Sequence, residues 1–189
     1  MQQRFPKVQG LYDPAQEHDN CGIGFVAHIK GKPSNEIVRK GLEVLVNMTH
    51  RGAESADNKS GDGAGILMQV PHAYFNTFDF ELPPAGKYGT GLIFLPSDPD
   101  EAKVCLEELN RNIVNEGLEL IGYRDVPVNP DAIGEIARNS EPVIRQVFVT
   151  GPMSEQDALE RKLFLVRKMT ESSIRNSDIS SRECFYIVS

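Results

Sequence analysis

No stretch of the 189 residues approaches the roughly 20 consecutive apolar residues that span a bilayer, and Met1 to Asn20 holds no apolar h-region of a secretory signal. The sequence therefore points to a cytoplasmic protein. Positive charge is in deficit, Lys+Arg 20 against Asp+Glu 27, for a net charge of −7. That balance argues against nucleic acid and anionic membrane as partners, since either demands an electropositive face. Cysteine is scarce. Cys21, Cys105 and Cys184 are an odd number, far apart and without a CxxC pair, which excludes a disulfide framework and a zinc knuckle. Internal repeats and low-complexity tracts are missing as well, and one domain is the default at a length that buries about 70% of the unfolded surface.

The remaining pattern is mixed α and β. Met1 to Asn20, broken by Pro6, Gly10 and Pro14, reads as a leader without regular structure. Cys21 to Ile29 is an apolar run read as a buried strand, ended by Lys30-Gly31-Lys32-Pro33. Ser34 is placed as the N-cap of a helix whose apolar face carries Ile37, Gly41, Val44, Leu45 and Met48, ending near Thr49. His50 to Gly65 is a polar, Gly-rich loop leading to a second apolar strand, Ile66 to Val70. Those two strands are expected to be neighbours in one sheet, with Ile23, Phe25, Val26, Ile66, Leu67 and Val70 buried beneath the helix. Further strands are read at Thr90–Leu95, Leu118–Tyr123 and Val143–Val149.

Asp98-Pro99-Asp100-Glu101 combines an N-cap, Pro at N1 and an acidic first turn, so a helix starts there and Gly117 stops it. A short helix falls near Asp131–Arg138, and Ser154 with Asp157 caps a long amphipathic one bearing Leu159, Leu163, Val166 and Met169. Glu183 to Ser189 is an apolar strand with no turn after it, the mark either of truncation on the C-terminal side or of an edge strand.

Chemistry has few places to sit. Gly61-Asp62-Gly63-Ala64-Gly65 is not a phosphate cradle, because it contains a carboxylate and leads into a strand rather than a helix N-terminus. Its glycines are read as providing φ > 0 turns and close backbone approach. His18, His28, His50 and His72 lack the i, i+4 spacing of helical metal ligands, so no metal is assigned. Cys105 and Cys184 read as small buried hydrophobes on a helix face and in a terminal strand. Cys21 differs, standing where the leader meets a strand beside Gly22 and Gly24, and is a candidate nucleophile.

Asp19-Asn20-Cys21-Gly22-Ile23-Gly24-Phe25, then His50-Arg51-Gly52-Ala53, then Gly61-Asp62-Gly63-Ala64-Gly65-Ile66 resembles, in order and spacing, the start of the class II glutamine amidotransferase domain of glutamate synthase large subunits. The resemblance implies an N-terminal-nucleophile hydrolase of α+β class, a four-layer αββα sandwich, with 1–20 a removable leader and 21–189 the N-terminal part of the domain. It implies Cys21 as the catalytic nucleophile on L-glutamine, and Arg51 as a substrate-binding residue ordering the pocket around the thiol. The oxyanion Asn-Gly pair and an arginine in an Arg-Tyr-Ser-Thr segment, which that family uses, have no counterpart in these 189 residues. FMN and an iron–sulfur cluster are expected in the remainder of a full-length parent, not in this segment, and the rest of that large chain or its small subunit is the expected protein partner. Two other readings stay open on the residues alone: a papain-like hydrolase pairing Cys21 with His50 or His72, and a catalytically silent α/β interaction module.

Overall fold

The computed structural model describes Gly10 and residues 22–57, 59–152 and 156–189. The proposed leader, apart from Gly10, lies outside the described residues. So do Cys21 and the helix cap expected at Ser154. The chain divides into two compact units, Met1–Leu67 and Met68–Ser189.

In the first unit the only regular helix among the described residues is α1, Asn35–Asn47. Ser34 stands at its N-cap in extended geometry, although its side chain makes no cap bond. A 3₁₀ turn, Thr49–Arg51, follows, joined to α1 by the N–H of Arg51 donating to the carbonyl of Met48 over 2.8 Å. Residues 22–29 lie against this helix at one tight point: a Cβ on Gly24 would come within 2.5 Å of Val44 Cγ1. They are not the predicted strand. Ile23 and Phe25 are 90% and 91% exposed, and neither 22–29 nor 66–70 joins a ladder. Val26 is half-buried, while Ile66, Leu67 and Val70 are also exposed. The expectation of one buried sheet under α1 is therefore corrected. Apolar composition favours burial, but a strand exists only with a hydrogen-bonding neighbour, and none of the described residues provides one.

The second unit contains the regular core. It opens with a short helix α2, His72–Phe75, and strand β1, Tyr88–Leu95. Helix α3, Pro99–Asn115, begins where Asp98 accepts the backbone N–H groups of Asp100 and Glu101 at 3.0 and 2.9 Å, and ends before Gly117 at φ +68°. Strand β2, Glu119–Asp125, leads through a 3₁₀ turn at Pro130–Ala132 to α4, Glu135–Arg138. The single helix predicted near 131–138 is thus two separate turns. Strand β3, Val143–Thr150, helix α5, Gln156–Arg175, a 3₁₀ turn at Arg182–Cys184 and strand β4, Tyr186–Val188, complete the unit.

The four strands form one antiparallel sheet in the order β2-β3-β1-β4. Mixed helices and an antiparallel sheet make this an α+β fold. Side chains alternate across the sheet, so β1 and β3 each contribute to two cores. Ile93, Leu95, Val147, Val149 and Ile187 meet Cys105, Leu109 and Ile113 of α3 and Leu159 and Val166 of α5. On the opposite face Phe148, fully buried, is surrounded by Phe75, Phe80 and Tyr88 with ring centroids at 5.2, 4.8 and 6.3 Å.

A polar bridge crosses the helix layer. Asn112 Nδ2 donates to Glu108 Oε1 and to Thr170 Oγ1, both at 3.1 Å, and Thr170 donates on to the Val166 carbonyl at 2.7 Å. Asn112 and Thr170 are buried, so these bonds replace lost hydration. Asn112→Ala is expected to lower the unfolding free energy by about 1–3 kcal/mol through a cavity and stranded acceptors, read as a lower midpoint in urea denaturation.

Candidate functional site

The motif residues of the first unit gather around the end of α1. A Cβ on Gly22 would stand 3.0 Å from Met48 Sδ and 3.5 Å from Cβ and Cγ of Arg51, so the residue following Cys21 rests directly on the stem of Arg51. Cys21 itself lies outside the described residues. Arg51 is exposed, and no acid pairs with its guanidinium among the described residues. Such a cation keeps its charge and its donors for another group.

The loop beyond Arg51 is a small hairpin rather than a phosphate cradle. Glu54 and Gly61 form an antiparallel bridge, and the N–H of Ser55 donates to the Ser60 carbonyl at 2.7 Å. Asp57 closes the turn by accepting from the N–H and hydroxyl of Ser60 at 2.8 and 2.7 Å. Asp62 reaches back across the hairpin: its Oδ2 accepts the Ala53 N–H at 2.9 Å, and its own N–H donates to the Ala53 carbonyl at 3.1 Å. Gly61 is needed here for close approach, since a Cβ would stand 2.4 Å from the Ala53 oxygen. The other half of the glycine expectation is corrected: none of Gly61, Gly63 or Gly65 has positive φ.

Three histidines are held by local bonds. His28 Nδ1 accepts from the N–H groups of Lys30 and Lys32 at 3.2 and 3.3 Å. His50 Nδ1 lies 3.0 Å from the Asn47 carbonyl, which only accepts, so this nitrogen carries a proton. In the second unit His72 has both nitrogens engaged, Nδ1 with Tyr88 Oη and Nε2 with the Asn76 amide, each at 3.1 Å. The papain-like reading therefore finds its second candidate base already occupied. Among the described residues no group of three His, Cys, Asp or Glu side chains is placed to hold a metal ion.

The two described cysteines differ from each other. Cys105 is fully buried in α3, and burial, with the Glu101 charge second, pushes its thiol up to about 11. Cys184 is exposed at the end of the 3₁₀ turn before β4, which corrects its placement inside a buried strand. The apolar run Cys-Phe-Tyr-Ile-Val misled because only Tyr186–Val188 pair, and the turn takes Cys184 out of the ladder.

Comparison with known proteins agrees with the motifs. Residues 21–189 match the family model described as glutamine amidotransferases class-II. The chain is 43% identical over 173 residues, 89% of its length, to the glutamate synthase [NADPH] large chain of Bacillus subtilis (strain 168). It is 39% identical over 82% of its length to ferredoxin-dependent glutamate synthase 2 of Synechocystis sp., and 35% identical over 97% to the glutamate synthase [NADH] of Schizosaccharomyces pombe. It spans 11%, 10% and 9% of those relatives.

Two measurements check the thiol environments. With iodoacetamide at pH 8, Cys184 is expected to alkylate in the native protein while Cys105, whose thiolate is present in only about one molecule in 10³, reacts after denaturation. The unfolded Cys105 thiol ionises near 9.0 and the folded one near 11, so alkali favours the unfolded state. Thermal stability is expected to fall as pH rises from 9.0 to about 11, and Cys105→Ala to flatten that slope.

Proposed function

The chain belongs to the class-II glutamine amidotransferases, and on that premise we propose that it is the ammonia-generating domain of a glutamate synthase large chain, acting on L-glutamine in glutamate synthesis from 2-oxoglutarate. The observation that carries the reading is the match of residues 21–189 together with Gly22 resting on Arg51.

In this reading removal of Met1–Asn20 makes Cys21 the first residue. Its freed α-amine, with an ordinary pKa of ~7.7–8.0, takes the proton of a thiol whose own is ~8.5. The thiolate attacks the side-chain amide carbon of glutamine. The tetrahedral intermediate collapses with ammonia leaving on a proton returned by the ammonium, and water then cleaves the γ-glutamyl thioester to glutamate and free thiol. Arg51 contributes a fixed cation beside the thiol and helps order the substrate pocket. The flavin mononucleotide and iron–sulfur cluster of a full-length parent belong to other parts of the large chain, which with its small subunit is the protein partner in a cytoplasmic enzyme. Of the described residues, no helix is long and apolar enough to cross a membrane.

The reading also gives the fold its finer form, a four-layer αββα sandwich of the N-terminal-nucleophile hydrolases. The segments 22–28 and 64–70, which form no regular structure here and leave Ile23, Phe25 and Leu67 exposed, are in this reading strand material for a second sheet that would bury them.

The 189-residue sequence contains neither an Asn-Gly pair nor an Arg-Tyr-Ser-Thr segment. One missing oxyanion donor alone costs ~10²–10³ in rate. Ammonia release from glutamine is therefore expected to stay near that of a Cys21→Ala control, even when the chain starts at Cys21. Extension past Ser189 with the family segment is expected to restore it, together with Cys21-specific capture of diazo-oxo-norleucine seen by intact mass. An extended protein that neither releases ammonia nor captures the electrophile at Cys21 would overturn the proposal.

A further inference from the structure

The backbone around Arg51 is bonded on both sides of the residue. The residue closes a 3₁₀ turn, it is exposed, and Gly52 follows it. From upstream it is held through the end of α1: the N–H of Arg51 donates to Met48 O at 2.8 Å, and that of Gly52 to Thr49 O at 3.1 Å. From downstream it is held at Ala53, and there both backbone groups are bonded to one residue. Asp62 Oδ2 takes the Ala53 N–H at 2.9 Å and the Asp62 N–H gives to the Ala53 carbonyl at 3.1 Å. Asp62 also closes over the intervening glycine, its Cβ lying 3.9 Å from where a Gly52 Cβ would be.

We propose that Asp62 is a positioning residue of the amidotransferase site, holding the Arg51 turn against Gly22 by accepting the Ala53 N–H, and that it acts as a hydrogen-bond acceptor rather than as a charge. The proposal rests on the amidotransferase reading for the role of Arg51. A carboxylate bonded two residues after an arginine invites an ion pair, yet no such pair with Arg51 forms among the described residues, and the Oδ2 contact goes to a neutral backbone donor. The hairpin explains how the carboxylate arrives there. The Glu54–Gly61 bridge and the Asp57 turn bring residue 62 opposite residue 53, and the bare Gly61 backbone lets the two strands close to that distance. If Ala53 is released, the anchor after Arg51 is lost, and Arg51 keeps only its attachment to α1. Its stem then slides under Gly22, the residue bonded to the nucleophile.

The roles separate on the choice of substitution. Asn at 62 keeps an acceptor oxygen in the same place and loses the charge; Ala loses both. The test uses the full 189-residue chain carrying Cys184→Ser, so that Cys21 is the accessible thiol. The rate of Cys21 alkylation by iodoacetamide, a neutral reagent, is followed by peptide mass spectrometry from pH 6 to 10. Arg51→Ala is expected to move the profile to higher pH, slowing alkylation at pH 7.5 about three- to tenfold, the effect of removing a partly screened cation from beside a thiol. Asp62→Ala is expected to reproduce that shift, Asp62→Asn to follow the parent, and Arg51→Ala with Asp62→Ala to exceed neither single change. Hydrogen exchange at the Ala53 amide is expected to accelerate in Asp62→Ala and not in Asp62→Asn.

An unshifted profile in Asp62→Ala, where Arg51→Ala shifts it, overturns the positioning role and leaves the amidotransferase reading standing. Unshifted profiles in both overturn the role of Arg51 and the positioning role with it. Asp62→Asn behaving like Asp62→Ala overturns the acceptor assignment in favour of charge. Should Asp62→Ala lose its far-UV circular dichroism, Asp62→Asn and Asp62→Ser carry the same comparison, Ser being expected to fall short because its oxygen is too near its own backbone to reach Ala53.

Discussion

Strand β3 must bury both of its faces, and the second unit is arranged to satisfy that requirement. Val147 and Val149 point into the layer of α3 and α5, while Phe148 between them points into a ring of aromatic side chains, and all three are nearly inaccessible to water. A slip of one residue would exchange the two sets and drive Phe148 into space shaped for valine. The register is therefore fixed by volume as much as by hydrogen bonds. It pairs Tyr88–Leu95 with Val143–Thr150 over their whole length. The helices then follow from what they cover: Leu109 and Ile113 on α3 and Leu159 and Val166 on α5 are the side chains that reach the valine face.

That half of the molecule was legible wherever the determinant is local. Asp98 caps, Pro99 starts, Gly117 stops, and the apolar runs of β1 and β3 mark them as strands. Illegible was what depends on distant neighbours. The segment His72 to Leu82 shows no clear period, and its aromatic residues make sense only against Phe148, some seventy residues on. The opposite error arose at 22–29, where an apolar run meets every local criterion for a strand yet has no neighbour to bond with among the described residues. Hydrophobicity states what a segment gains by burial; it does not supply the surface that buries it.

The site divides in the same way. Cys21 and Arg51 stood out because their motifs are short and ordered, and Gly22 on Arg51 gives part of that order a physical basis. The hairpin's glycines were recognised as special for two reasons, of which close approach holds at Gly61 and positive φ does not. The role of Asp62 is not legible in the sequence, since its partner, the backbone of Ala53, carries no side-chain signal there. A backbone donor waiting for a carboxylate nine residues away is invisible until the hairpin is drawn.

Locality also distinguishes the Arg51 turn from the rest of the chemistry an amidotransferase needs. The hydrogen bonds described around it come from residues 44 to 62, a stretch that closes its loops at short sequence separation and low entropic cost. An exposed cation held this way can be oriented before any distant segment docks, which suits the role proposed for Arg51. In the proposed amidotransferase, oxyanion donors and a carboxylate clamp supplied from elsewhere would depend instead on long-range packing. The Arg51 turn is thus the locally built part of the proposed site, bonded through its backbone on both sides while Ile23 and Phe25, just beyond Gly22, are exposed.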